Sequence, residues 1–188
     1  MAASSFFDEE KSTAMALYLL QKCPNQRMNY LKLIKLMYIA DREALRQWGH
    51  PLTGDAYFSL PHGPVVSRIK DLITDDPEFS GGKVWTSCIH RLDRDVEAVA
   101  EGPMDSLSSA ERELLDRVFA SYGSYTPWQL VELTHTFPEW RDPQGSAEPI
   151  TYKDILCAVG RGEESDELVE NIEVDAALRR ALTHAARG

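Results

Sequence analysis

The chain has 188 residues, 43% of them hydrophobic, and a formal net charge of -10. One hydrophobic core commonly serves up to ~250 residues, so these values exclude wholesale disorder and point to one domain, or one domain with a tail. An acidic balance repels phosphates, which disfavours general nucleic-acid binding and suits a basic protein partner.

The opening MAASSFFDEEKS carries Asp8, Glu9 and Glu10 and no apolar run of the kind a secretory leader needs. No stretch approaches the ~20 apolar residues of a membrane span, so no membrane association is expected. Cys23, Cys88 and Cys157 are far apart and form no C-x-x-C, which fits a reducing cytoplasm better than a disulfide framework or a zinc knuckle. A first helix is expected over residues 8–23, stopped by Pro24 and Asn25. A second runs over 28–48, with Asn29 as N-cap and Gly49 at its end. The following PLTGDAYFSLPHGPVV holds a short strand, DAYFSL, closed by Gly63 and Pro64. PVVSRIKDLI then reads as a third helix with Pro64 in its first turn.

Residues 74–82, TDDPEFSGG, read as loop. KVWTSCIHRL and DVEAVAE have strand composition, with DRD as a hairpin turn between them. SLSSAERELLDRVFASYG is a helix capped by Ser108 or Ser109, and TPWQLVELTHTFP another with Thr126 as cap and Pro127 in its first position. EWRDPQGSAEP reads as loop and TYKDILCAVG as a short helix. An acidic tail, residues 161–188, ends in an amphipathic helix whose apolar positions Leu168, Ile172, Leu178 and Leu182 are docked or await a partner. The fold expected is mainly α (α+β): a helical domain over residues 8–160 with a small antiparallel sheet or hairpin, then the tail.

Candidate polar sites begin on the second helix. Ile34, Met37, Asp41, Leu45 and Trp48 share a face, so Asp41 sits on an apolar stripe and needs a fixed partner. Lys32, Lys35, Arg42 and Arg46 read as a cationic stripe, either solvated surface or a docking strip. His62 lies beside a glycine at a strand end but has no companion nucleophile, and Asp55, His62, His90 and His135 lack metal-ligand spacing. GGK and GRG are not phosphate loops. No enzyme signature, cofactor site or metal site is therefore expected. A small metal-dependent hydrolase would rest only on Asp41, Asp55 and His62 lying close in sequence.

The stretch MNYLKLIKLMYIADREALRQWGHPLTGDAYFSLPHGPVV resembles the Panacea (SocA-like) antitoxin domain, also seen in prophage-associated proteins. Lys32, Leu33, Lys35, Leu36, Tyr38, Ala40 and Asp41 match its helix pattern. Gly49, Pro51, Leu52, Thr53, Gly54, Asp55 and Tyr57 match its turn, and Gly63, Pro64 and Val65 its bend. LSSAERELLDRVFASYGSYTPWQLVELTHTFPEW and ITYKDI resemble later segments, so the likeness spans about residues 12–160. Ser59 and His62 depart from the usual bend, and the acidic tail has no counterpart.

The resemblance implies a mostly helical protein that neutralises a cognate toxin by direct binding, with a protease adaptor delivering a bound client as the alternative. Partner contacts are expected at Lys32, Lys35, Arg42, Tyr57, Phe58, His62, Gly63 and Pro64, with Asp41 and Asp55 as structural polar groups. Tyr57 and Phe58 serve equally well as residues that close the core.

Overall fold

A computed structural model describes residues 6–74 and 82–185, apart from the side chains of residues 183 and 184. Among these residues, eight α-helices frame two three-stranded antiparallel sheets, the α+β arrangement expected. Helix α1, Glu9–Leu20, starts where the Asp8 carboxylate accepts the Lys11 amide, and it ends three residues earlier than predicted. A 3-10 turn, Pro24–Gln26, and a short strand β1, Arg27–Asn29, lead into helix α2, Tyr30–Trp48. Asn29 caps α2 through the amides of Leu31 and Lys32, and Gly49 closes it in the left-handed region at φ 77°. The predicted caps therefore stand, although Met28 and Asn29 belong to a strand.

Helix α2 is the centre of the molecule. Its residues 33–41 are all buried, Lys35 and Asp41 included. Fully burying an aliphatic side chain contributes about 1.5–3 kcal/mol, and Leu33, Ile34, Leu36, Met37 and Ile39 each do so at 2% exposure or less. Around α2 pack α1 and the helices α5, Ser109–Tyr122, α6, Pro127–His135, and α7, Tyr152–Ala158. Each of these last three opens on a capping box, Ser108 with Glu111, Thr126 with Gln129 and Thr151 with Asp154.

Strand β2, Tyr57–Leu60, pairs with β3, Gly63–Val66, so that Leu60 faces Gly63 across a tip of Pro61 and His62. This corrects the helix expected from Pro64. Glycine followed by Pro-Val-Val continues an extended hairpin arm, and helix α3, Ser67–Thr74, begins only after it. Strand β6, Glu148–Ile150, pairs with the other edge of β2 inside the segment expected to be loop.

The second sheet has the order β1-β5-β4, with β4 at Ile89–Leu92 and β5 at Asp95–Ala98, joined by the predicted turn at Asp93 and Arg94. Residues Lys83–Cys88, expected as strand, form helix α4. The Glu9 carboxylate explains it: one oxygen accepts the amides of Val84 at 2.7 Å and Trp85 at 3.0 Å, supplying a cap from a distant element. Most of the loop expected at 74–82 lies outside the described residues. Helix α8, Ser165–Ala185, packs its first half beside α7.

Candidate functional site

The turn that follows α2 is built around Asp41. One carboxylate oxygen accepts the amides of Leu52 at 2.8 Å and Thr53 at 3.0 Å, and the other accepts the hydroxyls of Thr53 and, at 2.8 Å, Tyr57. Asp41 has no solvent exposure. Burial pushes its pKa up, and the Thr53 and Tyr57 donors pull it back. The turn is thus read by a carboxylate eleven residues upstream.

Asp55 does the same for α3. Its oxygens accept the amides of Ala56 at 2.6 Å, Arg68 at 2.9 Å and Ile69 at 3.1 Å, so it caps a helix twelve residues away. Burial pushes Asp55 up to about 7 against those three amides. Thr53 joins the two acids, because its hydroxyl donates to Asp41 and accepts the Asp55 amide at 3.1 Å. Between them Gly54 adopts φ 62°, and a Cβ there would lie 2.0 Å from the Phe6 carbonyl oxygen. Threonine, glycine and aspartate at 53–55 are therefore a structural unit.

The cationic stripe expected on α2 is not a stripe. Lys35 is fully buried, and its ammonium donates to the Pro64 carbonyl at 2.7 Å. Burial lowers its pKa to about 7. Lys32, half-buried, donates to the Gly123 carbonyl at 2.6 Å, and Arg42 pairs with the buried Glu139 at 2.7 Å. Glu139 also accepts the Tyr38 hydroxyl at 3.0 Å. Only Arg46 is exposed, and it bonds Glu43 on its own helix. The stripe reading failed because α2 has neighbours all round its middle: its cations reach outward to tie other elements down.

The residues expected at the bend divide in the same way. Tyr57 is 2% exposed, between Tyr38 and Tyr152 with ring centroids 5.6 Å from each. Gly63 and Pro64 are buried. Gly63 holds φ 88°, and a Cβ there would meet the Thr134 hydroxyl at 2.6 Å and the Lys35 ammonium at 2.8 Å. Exposure of Lys35, Tyr57, Gly63 and Pro64 to a partner is thus corrected: they support the hairpin from inside. Phe58 is half-buried. His62 alone of the eight is exposed, and its ring meets Trp128 edge-on at 5.2 Å.

Trp128, 59% exposed, was missed as a site residue. A tryptophan in the first turn of a helix predicted to start at Thr126 was the available signal. Beneath the tip, His135 stacks on Trp140 at 4.0 Å, and the Trp140 indole donates to the Leu60 carbonyl at 3.2 Å. Burial and Lys35 lower the pKa of His135, and the neighbouring Pro61 backbone opposes them. The hairpin tip is therefore braced from below, and its His62 forms an exposed imidazole–indole pair with Trp128 of α6. Asp41, Asp55 and His62 do not converge on one centre: the two acids face inward onto amides and the imidazole faces outward. Among the described residues, no group of three or more His, Cys, Asp or Glu side chains is placed to hold a metal ion, and no helix is long and apolar enough to cross a membrane.

No curated protein and no solved structure matches the chain significantly. Residues 33–141, more than half of the sequence, match the family described as Antitoxin SocA-like, Panacea domain. That span runs from the buried middle of α2 through the turn and the hairpin to the strut at Trp140, so the matched segment and the polar framework coincide. The chain belongs to the SocA-like antitoxin family and carries its Panacea domain.

Proposed function

We propose that the protein neutralises a cognate toxin by binding it directly, as a non-catalytic partner in the cytoplasm. One observation supports the reading beyond family membership. Asp41, Asp55 and Lys35 are consumed in internal hydrogen bonds, while His62 on the hairpin tip and Trp128 in the first turn of α6 form an exposed pair above a hairpin held from below. Aromatic side chains on pre-ordered backbone lose little entropy on binding and form good interface anchors. In this reading His62 and Trp128 contact the toxin, with Phe58, Lys32 and Arg42 at the margin of the interface. Lys35, Tyr57, Gly63 and Pro64 hold the contacting residues in place. The binding domain spans residues 8–160 and the acidic tail 161–188 adds to it.

Co-expression with a toxin encoded by a neighbouring gene tests this. The expected result is restored growth with the toxin intact and co-purifying in a stable complex. Restored growth with the toxin disappearing would instead indicate delivery to a protease. No rescue and no complex would overturn the proposal.

A further inference from the structure

Helix α8 presents two different apolar strips. Leu168 and Ile172 pack partly buried against the core, and Ala176 is buried. Residues four apart share a strip of a helix, so these three form the docked side. About a third of a turn away lie Val174, Leu178 and Leu182, which are 61%, 59% and 64% exposed. They form a continuous aliphatic line ~12 Å long.

The charge bordering that line has one dominant sign. Helical spacing sets Glu167, Glu170 and Asp175 beside it, all exposed. The neighbouring cation Arg179 is engaged within the chain, by Asp175 at 3.4 Å and Asp8 at 3.9 Å. Arg180 donates to the Ala176 carbonyl at 3.2 Å. The line also runs into a cleft of about 480 Å³ between α8 and the turn after α2, with Val174 on one wall and Phe6, Trp48 and His50 on the other.

We propose that the outward strip of α8 and this cleft form a docking groove for a basic amphipathic helix of a protein partner. The line receives the partner's aliphatic face, the acids its lysines or arginines, and the cleft one larger anchoring side chain. A second copy of α8 fits less well, because it brings more acid to the groove while its Arg179 is already committed. The proposal rests on α8 and the cleft beside it and is independent of the hairpin tip.

Fluorescence anisotropy with the full chain tests it. The probe is a labelled synthetic helical peptide with leucines at i, i+4 and i+8 bordered by lysines, and the control carries glutamate for each lysine. The lysine peptide is expected to bind saturably and about tenfold tighter than the control. Leu178→Glu is expected to weaken it about tenfold. That substitution makes the surface more acidic, so unspecific attraction would rise, and a loss identifies the aliphatic contact. Leu182→Ala, which adds no charge, is expected to weaken binding about threefold. Thermal melts matching wild type show that both variants fold. Equal binding of the two peptides, binding indifferent to Leu178→Glu, or a dimer that Leu178→Glu dissolves would each overturn the groove. A chain that neutralises its toxin yet fails here keeps the proposed function and loses only this site.

Discussion

Helices α2 and α8 are of similar length, 19 and 21 residues, and both set charged residues among aliphatic ones. On α2 the charges of the middle turns point into the protein. Asp41 holds a turn, Lys35 a hairpin and Arg42 the segment after α6 through Glu139. On α8 the acids face solvent, and so do Leu178 and Leu182. The difference lies in what surrounds each helix. A charge on a helix enclosed on every side must find a partner, whereas on a helix with one open side it stays hydrated at no cost.

The sharpest way to break this contrast is to remove one carboxylate from each helix. Asp41→Ala leaves two amides and the hydroxyls of Thr53 and Tyr57 without their acceptor in a dry interior, an expected loss of about 3–5 kcal/mol, whereas Glu167→Ala should change stability by less than about 0.5 kcal/mol. Urea unfolding midpoints of the two variants measure it, and comparable shifts would erase the distinction.

Next in size is Gly63→Ala. A side chain there meets Thr134 and Lys35 in a left-handed backbone conformation, and a loss of about 2 kcal/mol is expected in the same assay. An unchanged midpoint would mean the hairpin is less tightly seated than described.

Titration sharpens the account of the α2 region. Lys35 has a pKa near 7 when folded against 10.5 ordinarily, so between these values the unfolded chain binds more protons and stability rises with pH. Asp55 is raised from 3.8 to about 7, so over that interval the folded chain holds the extra proton and stability falls as pH rises. Asp41, also raised by burial, adds to the acid limb, and His135, lowered by burial and Lys35, opposes it near its ordinary 6.5. A stability minimum near neutral pH is expected, with limbs on the order of 1–2 kcal/mol. Lys35→Met should flatten the alkaline limb and Asp55→Asn the acid one. A wild-type maximum near pH 7 would contradict both assignments.

The smallest stability effect is expected at the tip and at the indole of α6 beside it. His62→Ala and Trp128→Ala should each leave unfolding within about 0.5 kcal/mol of wild type while weakening toxin binding about tenfold. Large stability losses there would move the pair from the contact surface to the framework.

Helix caps and turns were readable from the residues because they depend on near neighbours: Asn29, Ser108, Thr126 and Gly49 all act within a few positions. What escaped depended on distant ones. Val84, Trp85 and Thr86 favour a strand by composition, yet Glu9 imposes a helix from seventy-five residues away. Pro64 suits a helix start equally well, and only pairing of Val65 and Val66 with Phe58 and Tyr57 decides for a strand. At the site, the need of Asp41 for a fixed partner followed from its place on an apolar face. Lys35 gave no such warning, because its spacing with Lys32 and Arg42 is that of an ordinary wet surface.

The holds on the hairpin tip share one property. Lys35 takes the oxygen of residue 64, Trp140 that of residue 60, and His135 engages the backbone of residue 61. None of them reads a side chain at the apex. Positions 61 and 62 are thus the part of the hairpin whose side chains these holds leave unread, and if the proposed toxin contact lies there, the scaffold has room to change targets by a handful of codon changes.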